Sequence, residues 1–267
     1  YHQVYSIPTN PFSRYKNFYR FCDDHVNVVE RKINSLYIRD YSKAKDTVMD
    51  AMKPFILNFS QVDAGFKVKT TEQILEVTMR PVTYRFIKQL KKNLLVEGTN
   101  EVILGDTPTK LMTKLHQMYS GTIKFESGNS MILDTSKAEY IYDYFQGEKI
   151  GIFYKFKEEY NALKEIYGEH LTTELEEFNK TDKSIALQIV SGREGISLRK
   201  AVRLVYFNID FSATSYWQSR DRMTTKDRLK NNVYWIFAKD GIENEIYKAV
   251  IKKKDYTLSH FKKDFLN

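Results

Sequence analysis

The chain has 267 residues, 42% apolar and 28% charged, with one cysteine and a formal net charge of +8. That length can bury a real core as one large domain or two small ones, and the balance of apolar and charged residues excludes wholesale disorder. A lone cysteine excludes a disulfide framework and fits a reducing, cytoplasmic setting; no apolar run approaches the roughly 18 residues of a membrane span, and the opening YHQVYSIPTN lacks the basic-then-apolar order of a signal peptide.

Taken in order, NPFSRYKNFYRFCDDH (10–25) and SKAKDTVMDAMKPFIL (42–57) place apolar residues three and four apart and predict helices. FKVKTTEQILEVTM (66–79) alternates and predicts an extended segment. Helical spacing returns at 82–95 and 109–121, with Gly121 as a stop, and SGTIKFESGNSM (120–131) reads as a loop or hairpin. From residue 132 the rhythm changes. A helix over 136–145, capped by Ser136, precedes the apolar runs KIGIFY (149–154), IALQIV (185–190), RLVYFN (203–208) and VYWIFA (233–238). Helical segments at 157–168, 213–223 and 242–253 lie between or after them. Short, continuously apolar strands alternating with helices predict a doubly wound, mainly parallel α/β sheet with helices on both faces. The expected division is a mainly helical region and linker at 1–131 and the α/β lobe at 132–267.

Charge is concentrated in two stretches. Residues 193–230 hold nine basic and four acidic side chains, and 246–267 hold six lysines and two aspartates. Clustered positive charge suits a polyanion, whereas a solvated lysine-rich surface is the plainer account. The stretch SGREGISLRKAVRLVYFNIDFSATSYWQSRDRM (191–223) joins a glycine-bearing turn to a strand and then to an arginine-bearing helix, with Ser212 as its cap. Gly192 and Gly195 suit close approach or positive φ. Gln218 and Arg222, four apart, are expected on one helix face near the carboxyl ends of the strands, where open parallel sheets bind ligands. A guanidinium there fits phosphate oxygens; pairing of Arg222 with Asp210 or Asp221 is the alternative. The five histidines show no metal-ligand spacing, and no metal site is expected.

The order of these pieces resembles the C-terminal RecA-like lobe of superfamily-two helicases, closest to the Swi/Snf-like ATPases and related phage helicases. Ser191, Gly192, Gly195, Ile196, Ser197 and Leu198 stand where that family has a Ser/Thr- and Gly-containing loop. AVRLVYF, Asp210 and Phe211 follow, then Gln218 and Arg222 at the family's spacing. GIFYKF (151–156), KPFIL (53–57) and VYWIFAKDGIENEIYKAVIKK (233–253) extend the likeness over most of residues 50–254. The family's second arginine falls on Thr225 here, with Lys226 or Arg228 as replacements, and Ser197 stands for the usual Asn or Asp.

The resemblance implies ATP and Mg²⁺ bound between two lobes, this chain contributing Arg222 and Gln218 to catalysis and Gly195, Ser197, Arg222, Lys226 and Arg228 to the ATP side. It also implies sequence-independent contact with a DNA backbone through Ser191, Gly192, Arg193 and Lys155. A phosphate-loop motif G-x-x-x-x-G-K-[ST] is absent from the sequence, and no Asp-Glu pair follows an apolar strand as an Mg²⁺-binding motif would. The expectation is therefore the C-terminal half of a DNA helicase or translocase from a phage or prophage, inactive and without tightly bound cofactor in the absence of an N-terminal ATPase lobe. Opening on Tyr1 rather than Met fits that expectation. The alternative is a stand-alone nucleic-acid-binding or scaffolding module.

Overall fold

The alternation of short apolar runs with helical segments becomes, in this computed structural model, a six-stranded sheet whose described pairings are all parallel. The structure describes residues 1–33, 36–57, 63–98, 100–192 and 195–266. It divides into two units, Tyr1–Ala64 and Gly65–Asn267. The division expected at 131/132 is not found there, because a strand at Lys69–Val77 pairs along its whole length with one at Lys230–Ala238 and belongs to the same sheet.

The first unit holds α1 (His2–Tyr5), α2 (Phe18–His25), the antiparallel hairpin β1 (Val29–Ile33) and β2 (Leu36–Asp40), and α3 (Thr47–Met52). Both helices expected from spacing are shorter than the apolar pattern suggests. Asn17 starts α2 late, its side chain accepting the Arg20 amide at 3.1 Å, and Asn10 holds a turn by accepting the Phe12 amide at 2.8 Å. Phe12, Tyr15, Phe21, Cys22 and Val26 form a small core of their own.

The second unit begins with β3 (Lys69–Val77), α4 (Pro81–Asn93), the hairpin β4 (Leu95–Glu97) and β5 (Val102–Leu104), α5 (Pro108–Tyr119), and the hairpin β6 (Thr122–Lys124) and β7 (Ser130–Ile132). Gly121 stops α5 at φ +80°, where a Cβ would sit 2.2 Å from the Asp134 carbonyl oxygen. Next comes α6 (Ser136–Tyr144). Ser136 is not its cap: Asp134 accepts from the Ser136 amide at 2.9 Å and hydroxyl at 2.6 Å, and from the Thr83 hydroxyl at 2.7 Å. A buried carboxylate is the stronger acceptor and displaces the hydroxyl from that role.

The alternating part follows as β8 (Ile150–Tyr154), α7 (Lys157–Tyr167), β9 (Leu171–Thr172), α8 (Leu175–Lys180), β10 (Ser184–Gln188), α9 (Ile189–Gly192), β11 (Arg203–Tyr206), α10 (Ala213–Arg220), β12 (Lys230–Ala238), α11 (Glu243–Val250) and α12 (Leu258–Phe265). Strand order is β3-β12-β11-β8-β10-β9. Alternate residues feed two cores, one on each face. Phe153, Leu204, Tyr206, Val233, Trp235 and Phe237 face one side with α5, α10 and α11. Ile150, Ile152, Val205, Phe207 and Ile236 face the other with α6 and α7. Ser212 precedes α10 without a side-chain cap; Asp255 supplies one instead, accepting the Ala213 amide at 2.8 Å.

Candidate functional site

The chain between α9 and β11 and the chain between α10 and β12 meet at the amino edge of the sheet. The Leu198 amide donates to the Arg222 carbonyl at 2.8 Å, Leu198 packs against Gly151 near the start of β8, and Asn231 near the start of β12 donates to the Thr224 hydroxyl at 2.8 Å. Arg222 therefore lies at the end of the sheet opposite to the one expected. The reason is local. Helix α10 stops at Arg220, and Arg222 stands beyond it in a turn, its amide bonded to the Ser219 carbonyl at 3.2 Å. Gln218 is exposed on the last helical turn, so these two residues do not share a helix face.

The Arg222 guanidinium is half-buried and forms no ion pair among the described residues. Its Nη1 donates to the Ile196 carbonyl at 3.4 Å, and its buried Nε has no partner among the described residues. Gly195 adopts φ +67° with open space where a side chain would be, and Ser197 is exposed beside it. Lys226 is exposed, and Thr225 half-buried. Arg228 is committed elsewhere: it donates to the carbonyls of Arg199 at 3.1 Å, Ala201 at 2.9 Å, Val202 at 3.3 Å and Lys230 at 3.2 Å. That guanidinium clamps the two loops together. Burial lowers its pKa.

Two residues here carry no signal in the sequence. Arg220 stands 3.1 Å from Glu72 of β3 and over the Trp217 ring at 4.7 Å. Glu72 also accepts from the Tyr216 hydroxyl at 2.8 Å, the Trp235 indole at 2.9 Å and the Tyr247 hydroxyl at 3.2 Å. Burial and the neighbouring Glu72 carboxylate push the Tyr247 hydroxyl up to about 12. These partners lie 144 to 175 residues from Glu72 in sequence. Only the parallel pairing of β3 with β12 brings them together.

A second cluster occupies the carboxyl edge. Lys155 follows β8 and forms an ion pair with Asp210, which follows β11; both side chains are largely buried. Asp210 also accepts from the Ser215 hydroxyl at 2.8 Å and the Phe211 amide at 2.9 Å. Burial raises its pKa, but Lys155 and these hydrogen bonds outweigh burial and hold it below the ordinary carboxylate range. The Lys155 ammonium lies over the Phe211 ring at 5.0 Å. Beneath it, Glu159 accepts the amides of Lys155 at 2.6 Å and Phe156 at 3.0 Å and the Asn208 side-chain amide at 2.6 Å. The Asn208 carbonyl oxygen accepts from His116 Nε2 at 2.7 Å. Burial, and next Lys155, push His116 down to about 3, so the ring is neutral. Of the expected backbone-contact residues, Ser191 and Gly192 end α9 at this edge, and Arg193 lies outside the described residues.

Among the described residues, no group of three or more His, Cys, Asp or Glu side chains is arranged to hold a metal ion. None of the helices formed by the described residues is long and apolar enough to cross a membrane.

No family model matches the sequence, and no curated protein matches it. Solved structures do match. The C-terminal part of the Fun30 ATPase domain superposes with a TM-score of 0.52 at 13% identity, over 72% of this chain and 92% of that one. This chain has the fold of a RecA-like lobe. The Sulfolobus solfataricus SWI2/SNF2 ATPase core in complex with dsDNA matches at 17% identity with a TM-score of 0.47, over 82% of this chain and 52% of that one. On this RecA-like lobe, the residues expected to form one crevice are distributed over two opposite edges of the sheet.

Proposed function

We propose that this chain is the C-terminal lobe of an ATP-dependent DNA translocase or helicase of the Swi/Snf-like group, with its ATP-facing side at the amino edge and its backbone-facing side at the carboxyl edge. The observation that carries the reading is Arg222, a half-buried guanidinium that forms no ion pair among the described residues and has one long bond, to the Ile196 carbonyl. A cation with no counter-charge among the described residues fits an anion brought by a ligand. The fold match to part of an ATPase domain supports the same reading.

In this reading ATP supplies the phosphoryl group, and Mg²⁺ is held by the partner lobe. Arg222 directs its guanidinium donors at the terminal phosphate, where positive charge stabilises the transition state. Gly195 keeps the backbone open beside it, Ser197 offers a hydroxyl, and Lys226 adds a mobile charge. Gln218 orients on the last turn of α10. At the other edge, Ser191, Gly192, Arg193 and Lys155 meet the DNA backbone, positioning it without reading bases.

Fluorescence anisotropy with two duplexes of unrelated sequence tests the DNA part. The expected result is equal affinity for both, falling roughly tenfold or more between 50 and 200 mM salt, as two or more phosphate contacts require. Affinity that ignores salt overturns it. The chain with Mg²⁺, ATP and DNA is expected to give no turnover; turnover abolished by Arg222→Ala would place a complete active site in this chain and overturn the ATP part. A stand-alone nucleic-acid-binding module is the second reading, favoured by Thr225 at the family's second arginine and by Arg228's commitment to four carbonyls.

A further inference from the structure

We infer that Glu72 on β3 is the positioning residue for Arg222, fixing the end of α10 from which the Arg222 turn departs. The inference rests on the reading of Arg222 as the phosphate-facing group. Glu72 is 15% exposed and takes hydrogen bonds from α10, β12 and α11 at once, through Tyr216, Trp235 and Tyr247. Tyr216 and Arg220 are four apart on α10, so one carboxylate holds the same helix face at two points, the second within two residues of Arg222. The carboxylate keeps its place because the aromatic donors are themselves fixed. Tyr206, Trp235 and Tyr216 stack with ring centroids 3.9 and 5.4 Å apart, and the Tyr206 hydroxyl meets the Ser219 hydroxyl at 2.6 Å.

Among the described residues Arg222 has no anchor of comparable strength. Its side chain has one long bond to a carbonyl, and its backbone is tied to Ser219 and Leu198. Where its guanidinium stands is therefore set by where α10 ends, and α10 ends where Glu72 holds Arg220. Hydrogen bonds to a largely buried carboxylate are charge-assisted and stronger than neutral ones.

The test follows the Arg222 Nε resonance of the ¹⁵N-arginine-labelled chain during titration with magnesium-ATP, with thermal unfolding measured separately. In the unsubstituted chain the resonance shifts saturably. Glu72→Gln keeps shape and an acceptor but removes the charge. It is expected to displace the Arg222 resonance before any ATP is added and to weaken the response about threefold to tenfold, the range one or two lost hydrogen bonds give. Glu72→Asp is expected to recover part of the response. Arg220→Gln cuts the tie while leaving the aromatic donors on Glu72, and is expected to act in the same direction. A folded Glu72→Gln or Arg220→Gln chain that binds like the original, whatever its melting temperature, overturns the inference alone. An Arg222 resonance indifferent to magnesium-ATP in the unsubstituted chain overturns the reading of Arg222, and the inference with it.

Discussion

The two edges of the sheet treat a cation in opposite ways. At the carboxyl edge Lys155 is neutralised by Asp210, and the pair rests on a buried network of Glu159, Asn208 and His116. At the amino edge Arg222 has no described ion-pair partner, while its neighbours are held by the protein, Arg220 by Glu72 through one terminal nitrogen, with its buried Nε unpartnered among the described residues, and Arg228 by four carbonyls. The first arrangement holds a loop in place. In the second, two arginines build the surroundings and a third is left with donors to offer. Basic residues counted along the sequence look alike; what separates them is which carboxylate the fold brings near.

The largest expected break in this comparison is in stability. Asp210→Ala removes the anion from a largely buried lysine and takes away the bonds that Asp210 accepts from the Ser215 hydroxyl and the Phe211 amide. Losing one partner of such a pair should cost about 3 kcal/mol. Arg222→Ala, which breaks no ion pair, should cost less than about 0.5 kcal/mol. Urea unfolding of both variants measures the contrast, and equal losses would erase the distinction between the edges.

Acid sharpens it next. His116 is neutral in the folded chain, with a pKa of about 3 against an ordinary value near 6.5. The unfolded chain therefore binds the extra proton first. Its contribution to stability is intact above pH 6.5 and is lost as pH falls towards 3, at up to about 1.4 kcal/mol per pH unit. Asp210, also depressed, adds to the loss only below the ordinary carboxylate range near 4. His116→Phe should flatten the stability profile between pH 6 and 4, as measured by urea midpoints at half-unit steps. Substituting Arg222 should leave the slope unchanged.

The ligand response gives a smaller energy but a cleaner separation. Arg222→Ala should weaken binding of magnesium-ATP roughly tenfold or more, the worth of one hydrogen bond to a charged group, while Lys155→Ala leaves it unchanged. Isothermal titration of both variants checks this, and a nucleotide response that follows Lys155 would exchange the roles of the two edges.

The α/β class, a strand within or overlapping each of the runs 149–154, 185–190, 203–208 and 233–238, and the hairpin at 120–131 were legible in sequence, because continuous apolar runs and turn residues act locally, although Ile189 and Val190 begin α9 instead of extending β10. The partner of the 66–79 segment was not legible, since its alternation says extended but not that it pairs with β12 about 160 residues later. That pairing moved the domain boundary and created the Glu72 node. The place of Arg222 was misread for a related reason. Spacing of four implies a shared helix face only while the helix continues, and α10 ends at Arg220. Gln218 and Arg222 are candidates that spacing can propose; the contacts of Arg220 with Glu72 and of Lys155 with Asp210 required the tertiary structure.

The smallest effect concerns how a paired lysine meets DNA. While Asp210 holds the Lys155 ammonium, a phosphate must share that cation with a carboxylate that three groups already keep in place. The pair carries no net charge, so removing the lysine should cost DNA binding little beyond the repulsion of the aspartate it uncovers. Asp210→Asn keeps the shape and leaves Lys155 with its full charge. That variant should bind duplex DNA a few-fold more tightly at low salt and steepen the dependence of log affinity on log salt by about 0.9, one additional phosphate contact. Lys155→Ala should change the slope by less than half of that. Anisotropy titrations at four salt concentrations distinguish the two. Should Lys155→Ala flatten the slope by a full contact while Asp210→Asn leaves it alone, Lys155 already faces the backbone as an unshielded charge, and the contrast drawn between the edges applies to folding but not to binding.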